Sequence, residues 1–250
     1  MPILRREGVG LFYELAGSGG PPLVFIHGMT CDHSFFAPQV EYFAPRHQVL
    51  NLDLRGHGRS DRPQQDYRIP GFAADTAWLC QELGLGPAVV AGHSMGGAVA
   101  LEMARRHPQR VRAAAVLDTT VLSSPERTEK LLPAMQRRMA QPDYREAFRE
   151  YFGRFFLASD DAGLKARVLA AMLATPQHVI VSLFEALRQA ACPLLYLAAA
   201  NHLSEPTEMK KLRPELITGQ VVGSGHFLTL QVPEQANAML ERFLALLGPA

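Results

Sequence analysis

The sequence has few cysteines, a single tryptophan and no excess of either charge. Its three cysteines, Cys31, Cys80 and Cys192, are odd in number and widely spaced, which argues against both a disulfide framework and a zinc-binding pattern and leaves reduced thiols. No apolar run approaches the ~20 residues that a membrane-crossing helix needs. The opening residues, Met1 to Glu7, lack the hydrophobic core of a signal peptide, so the expected location is the cytoplasm, with no membrane partner. Basic and acidic residues number 25 and 24, and a formal net charge of +1 gives no electrostatic reason to expect nucleic acid as a partner. There is no phosphate-cradling G-x-G-x-x-G context and no cluster of metal ligands, so neither an organic cofactor nor a metal is expected. Repeats, low-complexity tracts and long charge runs are also missing, and nothing in the composition sets the oligomeric state. The expected ligand is a small neutral or mildly polar molecule.

What remains is an ordinary globular composition, 48% hydrophobic and 20% charged, in a chain of 250 residues that can bury one large core. Short apolar runs recur at Leu23 to Ile26, Val49 to Leu52, Ala88 to Ala91, Ala113 to Leu117, Leu194 to Ala198 and Gln220 to Val222, and read as buried strands. Between them, Phe72 to Leu83 and Ala98 to Arg106 have helical spacing, with Gly84 and Pro108 as stops. This alternation predicts an α/β fold with a mostly parallel central sheet covered on both faces. Ile3 to Arg6 and Leu11 to Leu15, around Gly8 and Gly10, predict an antiparallel edge hairpin.

From Ser123 to about Ala190 the alternation stops. Helical patterns at Arg127 to Ala140, Tyr144 to Phe156 and Leu164 to Leu173 predict a helical cap, dividing the chain into core residues 1–122, cap residues 123–190 and core residues 191–250. The aromatic and aliphatic residues there (Tyr144, Phe148, Tyr151, Phe152, Phe155, Phe156, Met172, Phe184) fit the cap's own core, or an underside that lines an apolar pocket.

Gly92-His93-Ser94-Met95-Gly96-Gly97 joins the strand Ala88 to Ala91 to the helix after it. The G-x-S-x-G pattern in that setting is a nucleophile elbow, in which a serine on a sharp strand-to-helix turn is lifted clear of the sheet. Glycines flank it because side chains there would collide with neighbouring backbone. The next amide, that of Met95, falls at a helix N-terminus and can stabilise a developing oxyanion. A serine hydroxyl needs a base at neutral pH. Of nine histidines, His226 has the fitting context, a glycine-rich loop after a late strand and before the helix Pro233 to Leu247. In Phe25-Ile26-His27-Gly28-Met29 a strand ends at a glycine, so the amide of Met29 can be the second oxyanion donor, while His27 reads as a structural hydrogen-bonding residue.

With the His27-Gly28 loop, Asp53-Leu54-Arg55-Gly56-His57-Gly58-Arg59-Ser60, the elbow at Ser94 and the late His226, the chain resembles the α/β-hydrolase superfamily over nearly its whole length outside the cap. The resemblance implies structural roles for Asp53, Arg55 and His57, and a catalytic acid in a glycine-containing turn after the strand before the last. Here that segment reads Pro193 to Leu203 with alanines in place of glycine and no Asp. Some members carry the acid after an earlier strand, which points to Asp118 as the group that orients His226. Glu205 is the alternative acid, and a histidine held by Asn201 or by a backbone carbonyl is a third arrangement. In a simpler reading, Asp118 caps the turn into the cap.

The implied activity is a serine esterase acting on a small or medium carboxylic ester, lactone or related carbonyl compound. Alternatives on the same scaffold are a cofactor-free dioxygenase, suggested by His27-Gly28-Met29-Thr30-Cys31-Asp32-His33, a carbon–carbon bond hydrolase, and a non-catalytic small-molecule receptor.

Overall fold

Runs of Val, Ile and Leu form strands here because branched side chains fit a pleated surface that is covered on both faces. The computed structural model describes residues 2–119, 126–188, 195–198 and 216–248. Its strands are β1 (Ile3–Arg6), β2 (Val9–Ala16), β3 (Leu23–Ile26), β4 (Val49–Leu52), β5 (Ala88–His93), β6 (Val111–Leu117), β7 (Leu195–Ala198) and β8 (Thr218–Gln220). They form one sheet in the order β1-β2-β4-β3-β5-β6-β7-β8. The β1–β2 and β2–β4 pairings are antiparallel and all the others parallel. The edge hairpin turns through Glu7 and Gly8, both at positive φ (51° and 82°), as a two-residue connection with the twist of its strands requires.

Alternate residues of the central strands feed two cores. Val24, Ile26, Leu50, Leu52 and Val90 pack against α2 (Ile69–Glu82) and α3 (Met95–Arg106), through Phe72, Leu79, Val99 and Met103 among others. Leu23, Phe25, Val49, Val89 and Ala91 face the other way, against Phe36, against Phe43 of the helix Ala37–Phe43, and against Leu240 and Phe243 of the final helix, Pro233–Leu246. With both faces covered, ligand access falls at the carboxyl ends of the parallel strands, where β3, β5 and β6 all stop.

A helical insertion separates β6 from β7. It contains α4 (Leu132–Met139), α5 (Tyr144–Gly153), α6 (Ala162–Met172) and α7 (Gln177–Arg188). Phe148, Met139, Val179, Ile180 and Leu183 are buried in it and are continuous with the core on the α2–α3 side. The axes of α6 and α7 meet at 96°, and no single helix among the described residues is long and apolar enough to cross a membrane. The expected cap boundaries, 122/123 and 190/191, fall outside the described residues.

Two expected elements differ. The pattern Arg127 to Ala140 divides into a widened helical turn, Glu126–Leu131, and α4, because Pro133 at the second position of α4 has no N–H to give the preceding turn and its ring crowds that turn's carbonyls. The last strand runs from Thr218 to Gln220 rather than from Gln220 to Val222. Val221 is buried, yet Val222 is 76% exposed, so two adjacent valines imitate a strand where the chain has already turned.

Candidate active site

Strand β5 ends in the elbow. Ser94 has φ 52° and ψ −120°, a conformation that L-residues avoid, and the fold must hold it there. Two close approaches do so. A Cβ on Gly92 would lie 2.0 Å from the carbonyl oxygen of Gly96, and one on Gly96 would lie 2.1 Å from that of Ile26, so both positions require glycine. The Ser94 amide donates to the carbonyl of Leu117 (2.9 Å), which ties the elbow to the end of β6.

That link explains the position of Asp118. His93 and Leu117 are register partners on adjacent parallel strands, so Ser94 and Asp118, the next residues, leave neighbouring strands at the same edge. Asp118 also has a positive φ, 44°, and is buried. His226 Nδ1 donates to Asp118 Oδ2 at 2.6 Å, with both side chains out of solvent. The structure therefore brings Asp118 and His226 together as expected, whereas Glu205 and Asn201 lie outside the described residues.

The loop of His226 is held from both sides. Its amide donates to the carbonyl of Phe155 in the cap (2.9 Å), and its own carbonyl accepts Nε2–H of His93 (2.8 Å). The rings of His93 and Phe155 pack against its imidazole, with centroids 4.5 and 4.9 Å away. His93 is buried and its Nδ1 has no hydrogen-bond partner among the described residues. Burial first, and then the neighbouring His226, push its pKa down to about 3, so His93 is neutral and its tautomer is fixed by the bond from Nε2. Nothing in the sequence signals this role, because the residue before the serine in G-x-S-x-G is unspecified.

The loop after β3 is equally constrained. His27 donates from Nδ1 to the carbonyl of Gly28 (2.8 Å) and accepts the Leu54 amide at Nε2 (3.0 Å), a structural role as expected. The Gly28 carbonyl also accepts the amide of Cys31 (3.2 Å). In a planar trans peptide the N–H and C=O point in opposite directions, so fixing this carbonyl aims the amide of Met29 away from His27 and Cys31. Met95 opens α3, and a first-turn amide has no carbonyl within its own helix. Both methionines line the cavity that holds Ser94 and His226.

Asp32, His33 and Asp53 also converge. Asp53 already accepts the amide and Nδ1–H of His33 (2.6 and 2.9 Å) and the amide of Arg59 (2.7 Å), and these bonds knot the loops after β3 and β4 together. Burial alone would raise the Asp53 carboxyl, but the His33 hydrogen bond, the neighbouring His27 ring and the Arg59 amide outweigh it and hold it below the usual aspartate range. Arg55 is paired instead with the buried Asp75, as part of the scaffold. The second structural histidine, His57, is buried and pushed down to about 3 by desolvation and by His27.

Counted together with the solvent at its mouth, the cavity spans about 720 Å³ of empty space. Of the cap residues singled out in the sequence, Tyr151, Phe152, Phe155, Met172 and Phe184 line it, while Phe148 and Phe156 belong to the buried core. Cys31 also lines the cavity, and desolvation holds its thiol well above the ordinary range, so it is protonated. Arg127, which opens the helical pattern Arg127 to Ala140, is also a wall residue.

A doubly covered parallel sheet, an elbow serine at its carboxyl edge and a helical insertion above it define an α/β hydrolase. The chain belongs to that family, described as the alpha/beta hydrolase fold, whose pattern its residues 21–178 match. It is similar to 2-(acetamidomethylene)succinate hydrolase of Mesorhizobium japonicum, at 27% identity over 265 residues covering 97% of this chain and 95% of that protein. In structure it resembles a thermophilic esterase from Thermogutta terrifontis, with a TM-score of 0.83 and 24% identity over 98% of this chain and 97% of that one. It likewise resembles the enol-lactonase from Burkholderia xenovorans, with a TM-score of 0.84 and 22% identity over 98% and 100% of the two chains. These two structural likenesses establish the fold alone.

Proposed function

We propose that the protein is a serine hydrolase that cleaves a small or medium carboxylic ester, lactone or related carbonyl compound through an acyl-enzyme. Ser94 Oγ adds to the carbonyl while His226 Nε2 takes its proton, and the amides of Met29 and Met95 hold the oxyanion. The proton then passes to the leaving oxygen. Water, deprotonated by the same imidazole, attacks the acyl-enzyme and releases the acid and free Ser94. Asp118 keeps Nδ1 protonated and offsets the charge of the imidazolium, and the cap, residues 123–190, closes over core residues 1–122 and 191–250.

The observation that carries this reading is the 2.6 Å bond between His226 Nδ1 and Asp118 Oδ2, beside a serine that turns from strand to helix in the same cavity. The similar proteins, a 2-(acetamidomethylene)succinate hydrolase, an esterase and an enol-lactonase, support it further.

Labelling with a phosphonate and turnover of short p-nitrophenyl esters test it together. Ser94→Ala is expected to lose both the label and at least about a thousandfold in kcat, and undiminished turnover in that variant would sink the proposal. The acid is tested separately. Asp118→Asn should lower kcat by about two to four orders of magnitude through a misplaced tautomer, with Glu205→Gln close to the parent, and the reverse outcome would move the acid to Glu205.

A further inference from the structure

A cation in the wall of an apolar cavity is costly to desolvate and acts strongly on whatever enters, because the low dielectric there magnifies charge. Arg127, in the turn Glu126–Leu131, lines the cavity that contains Ser94 and His226. Its fellow wall residues include Ala98, Phe152, Phe155, Met172 and Phe184. Among the described residues of that wall, Arg127 has the one fixed charge and none is acidic.

Tyr151 lines the same cavity. Burial raises its phenol above the ordinary range, and the positive charge of Arg127 leads the opposing influences, so the guanidinium lies within electrostatic reach of the hydroxyl. A neutral phenol and a guanidinium are both hydrogen-bond donors. A guanidinium carries five N–H groups in a fork, so one that is engaged within the protein still has donors for a ligand.

We propose that Arg127 selects carbonyl substrates that carry a second, anionic group, a carboxylate, as in half-esters of dicarboxylic acids or carboxylate-bearing lactones. This rests on the reading of Ser94 as the nucleophile. Arg127 is then a specificity residue. It binds the carboxylate that does not react while the distant carbonyl meets the serine, and the apolar wall between them sets the spacing by excluding water from the connecting chain.

The test compares kcat/KM for the p-nitrophenyl half-ester of glutaric acid with that for p-nitrophenyl hexanoate, its neutral counterpart of similar length. The parent enzyme is expected to favour the anionic ester by about tenfold or more, the contribution of a charge-assisted hydrogen bond. In Arg127→Gln that ratio should fall by about ten- to a hundredfold, mainly through KM. Arg127→Lys should give an intermediate ratio, since it keeps the charge without the fork. A preference for the neutral ester in the parent, or an unaltered ratio in Arg127→Gln, overturns the proposal. If neither ester is cleaved, the serine-hydrolase reading has failed, and calorimetric titration with glutarate still decides the role of Arg127. Binding by the parent that weakens about tenfold in Arg127→Gln upholds it, and binding that is equal in the two proteins, or absent from both, overturns it.

Discussion

His93 and His57 are buried, neutral imidazoles whose proton affinity the fold pushes down to about 3, in each case chiefly by desolvation. An unfolded chain protonates both near their ordinary value of 6.5, so the unfolded state binds more protons over the interval between. Their contribution to stability is complete above that value and is lost as pH falls from there toward 3. The slope is about 1.4 kcal/mol per pH unit for each fully differential histidine. His33, raised by its bond to Asp53 despite the opposing effect of burial, works the other way, with stability present at low pH and lost as pH rises through its folded value. Urea midpoints at pH 7, 6 and 5 should therefore decline, and decline less steeply in His57→Gln; a flat series would contradict the burial of uncharged imidazoles. At this scale the legibility of the sequence depends on how local the signal is. Ser94 and His226 announce themselves through neighbouring glycines, and Asp118 through the missing Asp after β7. Arg127 stands between Glu126 and Glu129 in a segment that reads as a solvated helix face, and only the folded cap turns it inward. That placement replaces the expectation of a neutral ligand, drawn from net charge, with a proposal drawn from one wall residue.

Elements were legible where hydrophobic period and stop signals agreed. Strands β3 and β4 have the expected bounds, and α2 and α3 begin three residues before the apolar pattern starts, because their first turns are set by Pro70 and by the elbow rather than by periodicity. The cap was legible as helical, but its aromatic row read equally as core or as pocket wall, since a row at helical spacing looks the same whether it faces a neighbouring helix or a cavity. Phe148 and Phe152 illustrate the point. Their rings lie 4.3 Å apart on one turn of α5 and both are buried in the core, yet of the two Phe152 alone also lines the cavity. Phe148→Ala should cost about 3–5 kcal/mol, a value that thermal unfolding would check, and the slack it leaves beneath Phe152 should raise KM for short esters. Gly96→Ala is expected to be worse for function. A methyl group 2.1 Å from the Ile26 carbonyl must push α3 away from β3, displacing Ser94 together with the Met95 amide, and activity should fall even in whatever fraction folds.

For the molecule as a whole, Asp75 joins parts that are far apart in the chain. This buried carboxylate on α2 accepts from Arg6 of the edge hairpin (2.7 Å) and from Arg55 in the loop after β4 (2.6 Å from Nη2, with Nε also bonded). Asp75→Asn removes the counter-charge of Arg55 and leaves Arg6 only the exposed Glu7, which should cost about 3–5 kcal/mol, measurable as a lower urea midpoint with KM little altered. Cap and core share one buried apolar cluster, and one of their polar links passes through the proposed base, where the His226 amide bonds the Phe155 carbonyl. Since the acceptor is main chain, the identity of residue 155 is free to change without losing it, whereas a Cβ on Gly225 would stand 2.4 Å from that oxygen. One constraint on grafting a different cap onto this core is therefore carried by a glycine in the core. A donor cap has to present a carbonyl at that point to seat His226, while also filling the shared apolar cluster and replacing the bonds that Ser182 and Thr175 make to the core.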